Sequence, residues 1–210
     1  ELEIKRLKKV SNENSLIVFG AGETARKLIC ANDLNPVKIV DNNKAGSEFM
    51  GVVVEKPEYA LVIAIALRAK LKAETPDGQK LWDARLAVGV GEISFKSDNI
   101  VTSDGEAFRL SGHSFDHIGK KRLSISTPWP DFNTNIELVT RFADDLITSW
   151  TAKQARVVYQ SMLFPKLQKD LAEELGMTRQ NFNYHWSSAR GQLILDYIEY
   201  FKSLISKYIK

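Results

Sequence analysis

The sequence predicts an α/β part over residues 1–132 followed by an all-α part over 133–210, and three stretches carry the prediction. Residues 16–19 (LIVF) form a short apolar run closing on the glycine-rich 20–25 (GAGETA), and after a helix-compatible stretch 37–40 (VKIV) start a second strand. Residues 85–93 and 123–127 have strand character on either side of a helix. From 135 onward apolar residues recur at helical spacing, and 167–192 have the layout of helix, tight turn, helix.

Composition bounds these parts loosely. Hydrophobic content of 44% and charged content of 26% describe an ordinary globular chain of 210 residues. A net charge of +3 is too small to argue for nucleic acid by itself. Cys30, the single cysteine, excludes an internal disulfide and fits a reducing, cytoplasmic setting. The longest apolar run, 61–67, is far too short to span a bilayer, and no signal peptide precedes it. The chain begins at Glu1 rather than methionine, which fits a fragment or a processed product.

Residues 1–14 are a polar lead-in. The form G-x-G-x-x-A over 20–25 lets the backbone approach a phosphate at a helix N-terminus, and Asp41 stands where an acid accepts a ribose hydroxyl. The helix over 25–34 is stopped by Pro36. Gly20, Gly22 and Asp41 are therefore the candidate contacts to a nucleotide or sugar-nucleotide. Through IVFGAGETAR, KIVDNN and GSEFMGVVVEKPEYA, residues 15–58 resemble the Rossmann-like N-terminal domain of sugar-nucleotide-binding acyltransferases, which implies the same three contacts. Residues 46–71 (GSEFMGVVVEKPEYALVIAIALRAKL) also resemble the strand-turn-strand and helix of class III nucleotide cyclases, so a nucleotide-cyclase-like sheet is the alternative. Ser47 stands where that turn carries a metal-binding Asp. Residues 46–50 also read as a joint between two fused pieces.

In the middle, 59–73 place Leu61, Ile65, Leu67 and Leu71 at helical spacing, with Arg68, Lys70 and Lys72 intervening; 61–67 alone also reads as a buried strand. Residues 75–78 (TPDG) have turn chemistry. In the strand 85–93, Gly89 and Gly91 allow close approach of a neighbour. Ser103 or Asp104 caps a helix running to about Ile118, and 123–127 form a strand ended by Pro128 and Pro130. Through GVGEI, SDGEAFRLSG and KKRLSISTP, with the helix-turn-helix beyond, residues 56–195 resemble the SatD family of bacterial proteins, dividing the first part into a Rossmann-like 1–58 and a SatD-like 59–132. Glu92, Asp104, Glu106 and Asp116 offer oxygen ligands, and His113 and His117 share a helix face. With no third zinc ligand indicated and no HExxH glutamate, no metal or catalytic residue is assigned.

Residues 135–150 form an amphipathic helix through Ile136, Val139, Ala143, Leu146, Ile147 and Trp150. Thr151 caps 152–163, and Pro165 starts the next helix. These two helices feed the helix-turn-helix at 167–192, a layout resembling the last region of sigma-type factors. Ala172 permits close approach, Gly176 takes a left-handed turn, and Leu171, Leu175, Met177 and Phe182 face inward. His185 stands where an aliphatic residue is usual, beside Trp186. Thr178 caps the second helix, which exposes Arg179, Gln180, Asn181, Asn183 and Tyr184, residue types that bond base edges and phosphates. Lys153, Arg156, Lys166, Lys169, Arg179 and Arg190 outnumber Asp170, Glu173 and Glu174 locally.

After Gln192, Ile194, Ile198, Phe201, Ile205 and Tyr208 form a wide apolar stripe flanked by Leu193, Tyr197, Tyr200 and Leu204. That stripe packs on its own domain or on a second copy, giving a homodimer. The expected function is double-stranded DNA binding and transcription regulation, gated by a nucleotide or sugar-nucleotide. Lys166 and Lys169 would hold phosphates, and Thr178, Arg179, Gln180, Asn181, Asn183 and Tyr184 would sit at the groove. The rival is a nucleotide-binding module or an enzyme of cyclase-like or sugar-nucleotide-related class, whose helical tail serves assembly.

Overall fold

The computed structural model describes residues 15–20, 39–44, 47–54, 56–92, 105–164 and 166–209. Among the described residues five strands form one sheet: β1 (Ser15–Gly20), β2 (Ile39–Lys44), β3 (Ser47–Val53), β4 (Arg85–Val90) and β5 (Leu123–Ser126), in the order β2-β3-β1-β4-β5. Neighbours are antiparallel except β4 and β5, which run parallel with Leu86 opposite Leu123 and Val88 opposite Ile125. The helices are α1 (Ala60–Ala73), α2 (Glu106–Asp116), α3 (Pro130–Ser149), α4 (Ala152–Leu163), α5 (Gln168–Glu174), α6 (Arg179–Ser188) and α7 (Gly191–Ile205).

The strand order corrects one expectation. A Rossmann unit needs its first two strands as parallel neighbours, but β3 lies between β1 and β2 and is antiparallel to both. Strand β2 runs past Asp41 to Lys44, which pairs with Ser47 of β3. Ser47 to Met50 lie within β3, in the same sheet as β4. The glycine-rich segment beyond Gly20, the helix over 25–34 and Cys30 lie outside the described residues. The cap expected at Ser103 or Asp104 is corrected: α2 starts at Glu106 with Gly105 as its N-cap and no side-chain cap bond.

Alternation along β4 builds two layers, because successive side chains of a strand leave opposite faces. Leu86, Val88 and Val90 enter the main core with Leu61 and Ile65 of α1. Between them, Gly89 meets α2 so closely that a Cβ would stand 2.3 Å from the Ala107 carbonyl oxygen. Only glycine admits that approach, as the sequence suggested for this strand.

The core continues past residue 132. Phe132, Ile136, Ile147 and Trp150 of the α3 region and Ile194, Ile198 and Phe201 of α7 belong to the same cluster as the α1 and β4 residues. Helix α3 starts at Pro130, five residues before the expected 135, because proline's fixed φ suits a first helical turn. Thr151 caps α4 through a full capping box with Gln154.

Arg68 and Lys72, which the sequence reading left between apolar positions, are both buried. Arg68 makes two bonds to Asp83, Nε to Oδ1 at 2.9 Å and Nη2 to Oδ2 at 3.0 Å, and a third from Nη1 to Asp144 at 2.6 Å. Thr148 Oγ1 accepts from Nη2 at 2.8 Å, and Lys72 Nζ donates to the Thr148 carbonyl. The network joins α1, the segment before β4 and α3. Burial opposes ionisation of Asp83, but the Arg68 hydrogen bonds and the charges of Arg68 and Lys72 outweigh it and hold the carboxyl below its ordinary value.

Candidate nucleic-acid interface

Helix α5 ends in a two-bond turn fixed by its sequence. Gly176 has φ +64°, a conformation that costs a side-chain-bearing residue energy. Its N–H donates to the Glu173 carbonyl, and the Met177 N–H donates to the Ala172 carbonyl at 3.0 Å, the paired bonds of a Schellman cap. One residue on, Thr178 Oγ1 accepts from the Asn181 N–H at 3.2 Å and starts α6. The chain thus leaves one helix and enters the next with its end groups satisfied on both sides of a short turn.

Val157 of α4, Leu171 and Ala172 of α5 and Phe182 of α6 form a second, small core, with Leu175, Met177 and Trp186 packed against it. All four residues expected to face inward are in or against this cluster. Phe182 fixes which face of α6 is left outside. Arg179, Gln180, Asn181 and Tyr184 are exposed, Asn183 is half-buried, and Tyr184 is 66% exposed. Helix α5 begins at Gln168 with Leu167 as its N-cap, later than the start expected at Pro165.

The basic residues divide. Lys166 forms an ion pair with Glu174 at the far end of α5, so it is neutralised within the unit. Arg156 Nη2 donates to the Ala73 carbonyl at the end of α1, 2.9 Å away, and serves packing. Lys153, Lys169, Arg179 and Arg190 are exposed and have no ion pair among the described residues. His185 is half-buried against Tyr184, and burial lowers its pKa, with the Lys153 ammonium lowering it further. At neutral pH it therefore adds no charge to this surface.

The junction of α6 with α7 is unusual. Arg190 is the one non-glycine residue with positive φ among those described, at 54°. Gly191 lies flat against Trp186, where a Cβ would stand 2.3 Å from the indole ring. Trp150 Nε1 donates to the Ala189 carbonyl at 2.9 Å, anchoring the end of α6 to the main core.

Comparison with family models, with curated proteins and with solved structures finds no match to this chain. The residues themselves carry the reading.

The other expected site is only partly placed. Gly20 closes β1 and Asp41 lies inside β2, two strands away across β3, while Gly22 falls outside the described residues. His113 and His117 stack at 4.3 Å, with His117 Nδ1 against the His113 carbonyl oxygen. Among the described residues no three His, Cys, Asp or Glu side chains gather as a metal set, and no helix is long and apolar enough to cross a membrane.

Proposed function

We propose that this chain is a DNA-binding, transcription-regulatory protein of the SatD type, in which α6 lies in the major groove. The observation that supports it most is the combination at α5 and α6: a Schellman turn at Gly176, a Thr178 cap, a private core under Phe182, and an outer face of Arg179, Gln180, Asn181 and Tyr184. Arg and Gln match guanine and adenine edges, and a recognition helix presents its N-terminal side chains to the bases. Lys169 on α5 is the phosphate contact, while Lys166 would first have to leave Glu174.

The test is a selection of bound sequences followed by titration at stated salt. Arg179→Ala costs about 1–3 kcal/mol at the preferred site and relaxes its sequence preference, whereas Lys169→Ala weakens every duplex alike. With four unpaired cations around the helix pair, log Kd against log salt has a slope no steeper than about 4 per chain. If both variants fold and bind DNA as the parent does, the helix pair is architectural.

A second reading concerns the sheet, where the order β2-β3-β1-β4 with antiparallel neighbours favours a cyclase-like over a Rossmann-like frame. We infer that a nucleotide or sugar-nucleotide at Gly20, Gly22 and Asp41 regulates DNA binding rather than reacting, since Ser47 replaces the metal-binding acid of the cyclase turn. A nucleotide panel should then raise the melting temperature by an amount that Gly22→Val abolishes. No shift across the panel leaves these residues with a structural role alone.

A further inference from the structure

We propose that the outer face of α3, with the adjoining edge of α7, is the surface on which two copies of this chain associate. Of the two fates open to the apolar stripe of α7, packing on its own domain is the one taken: Ile194, Ile198, Phe201 and Ile205 are buried in the main core. The apolar surface left outside lies mostly on α3. Nine large hydrophobic side chains are exposed among the described residues, and five of them, Leu138, Val139, Phe142, Leu193 and Tyr200, lie on these two helices. Phe142 is 66% exposed and Leu138 57%.

The five lie on two neighbouring helices. Helices α3 and α7 run antiparallel: Phe132 packs edge-on against Phe201 at one end, Thr140 Oγ1 and Tyr197 Oη hydrogen-bond at 2.7 Å midway, and Trp150 reaches Ala189 at the other end. Leu193 and Tyr200 are one turn to either side of Tyr197, and Val139 adjoins Thr140. Asp144 and Thr148 turn the opposite flank of α3 toward Arg68. The strip therefore runs along solvent on the side away from α1, with Phe142 near its middle.

Charge around the strip identifies the occupant. The rim is mixed rather than of one sign, with Glu137, Asp145, Asp196 and Glu199 set among Lys121, Arg141 and Lys202. A mixed rim suits a protein surface better than a phosphate backbone or an anionic membrane. Glu137 pairs with Lys121 and Glu199 with Lys202. Arg141 and Asp145, one turn apart on one flank of Phe142, have no ion pair among the described residues. A twofold axis crossing the exposed side of α3 one residue past Phe142 would set α3 antiparallel to its copy, bring the two Phe142 rings together and place Arg141 of each chain against Asp145 of the other. A surface that satisfies its own charges under a twofold is self-complementary, as a closed homodimer requires.

Sedimentation of the purified chain tests this without any DNA. The parent is expected to be a dimer at micromolar concentration, and Phe142→Asp to weaken association at least about thirtyfold while keeping its helical circular dichroism. Arg141→Asp and Asp145→Arg should each weaken it about tenfold, and the double swap should recover most of the loss because the crossed pairs are restored. A parent that stays monomeric at high micromolar concentration overturns the proposal. So does a dimer indifferent to Phe142→Asp, or a double swap no better than the single ones.

Discussion

Arg68 has no solvent exposure, yet each of its guanidinium nitrogens donates to an oxygen of Asp83, Asp144 or Thr148. Removing one partner of such a pair leaves a buried charge uncompensated, a loss of about 3–5 kcal/mol, whereas replacing the whole set by apolar groups is often neutral. Asp83→Ala should therefore destabilise the fold by about that amount in urea titration. The same carboxylate sets a pH dependence. Its folded pKa lies below the ordinary 3.8, so its contribution is complete above that value and is lost as pH falls through the folded pKa. Urea midpoints measured between neutral and acid pH should fall across that window in the parent and fall less in Asp83→Asn.

At the scale of elements, the turn between α5 and α6 carries the strictest demands. Gly176 holds a left-handed φ, and Thr178 accepts the only side-chain cap bond of α6. Thr178→Ala should cost about 1 kcal/mol, and Gly176→Val more, because a β-branched residue is strained at positive φ. Since the core under this pair is small, with Val157, Leu171, Ala172 and Phe182 as its buried members, the loss falls mainly on α5 and α6. Hydrogen exchange should rise in α5 and α6 while α1 and α3 keep their protection, and a uniform rise across all helices would contradict that separation.

Across the whole molecule, one core runs from Val54 to Ile205 and joins the sheet, α1, α3 and α7. A cooperative unit of that extent should unfold in a single transition, with fluorescence and circular dichroism coincident. Trp150 is the bolt between that core and α6, through its bond to the Ala189 carbonyl. Trp150→Phe keeps most of the packing but leaves that buried carbonyl without its donor, a loss of about 1–3 kcal/mol. Two separated transitions in the parent would show that the sheet and the helices fold as independent units.

Much of this was legible in the sequence because it is local. Apolar spacing and caps placed α1, α4, α6 and α7 and the strands β4 and β5; the glycine at 176 and the threonine at 178 announced the turn, and Phe182 announced which face of α6 is turned inward. Pairing was not legible. Nothing local distinguishes a β1 whose neighbour is β2 from one whose neighbours are β3 and β4, because strand order is decided by contacts between distant residues. Charge pairing was hidden for the same reason: Arg68 and Lys72 share a helix face with Leu61 and Ile65, a visible oddity, but Asp83 and Asp144 come to them only through the fold. Tertiary structure likewise took Lys166 and Arg156 away from the basic surface, chose core packing for the α7 stripe and left an apolar strip exposed on α3. The sequence by itself determined most of the helices, the caps at Thr151 and Thr178 and the outward residues of α6, since those depend on neighbours within a few positions. Only the tertiary structure decided which strands meet, which charges are spent and which apolar face is left over, since each depends on what the rest of the chain brings alongside.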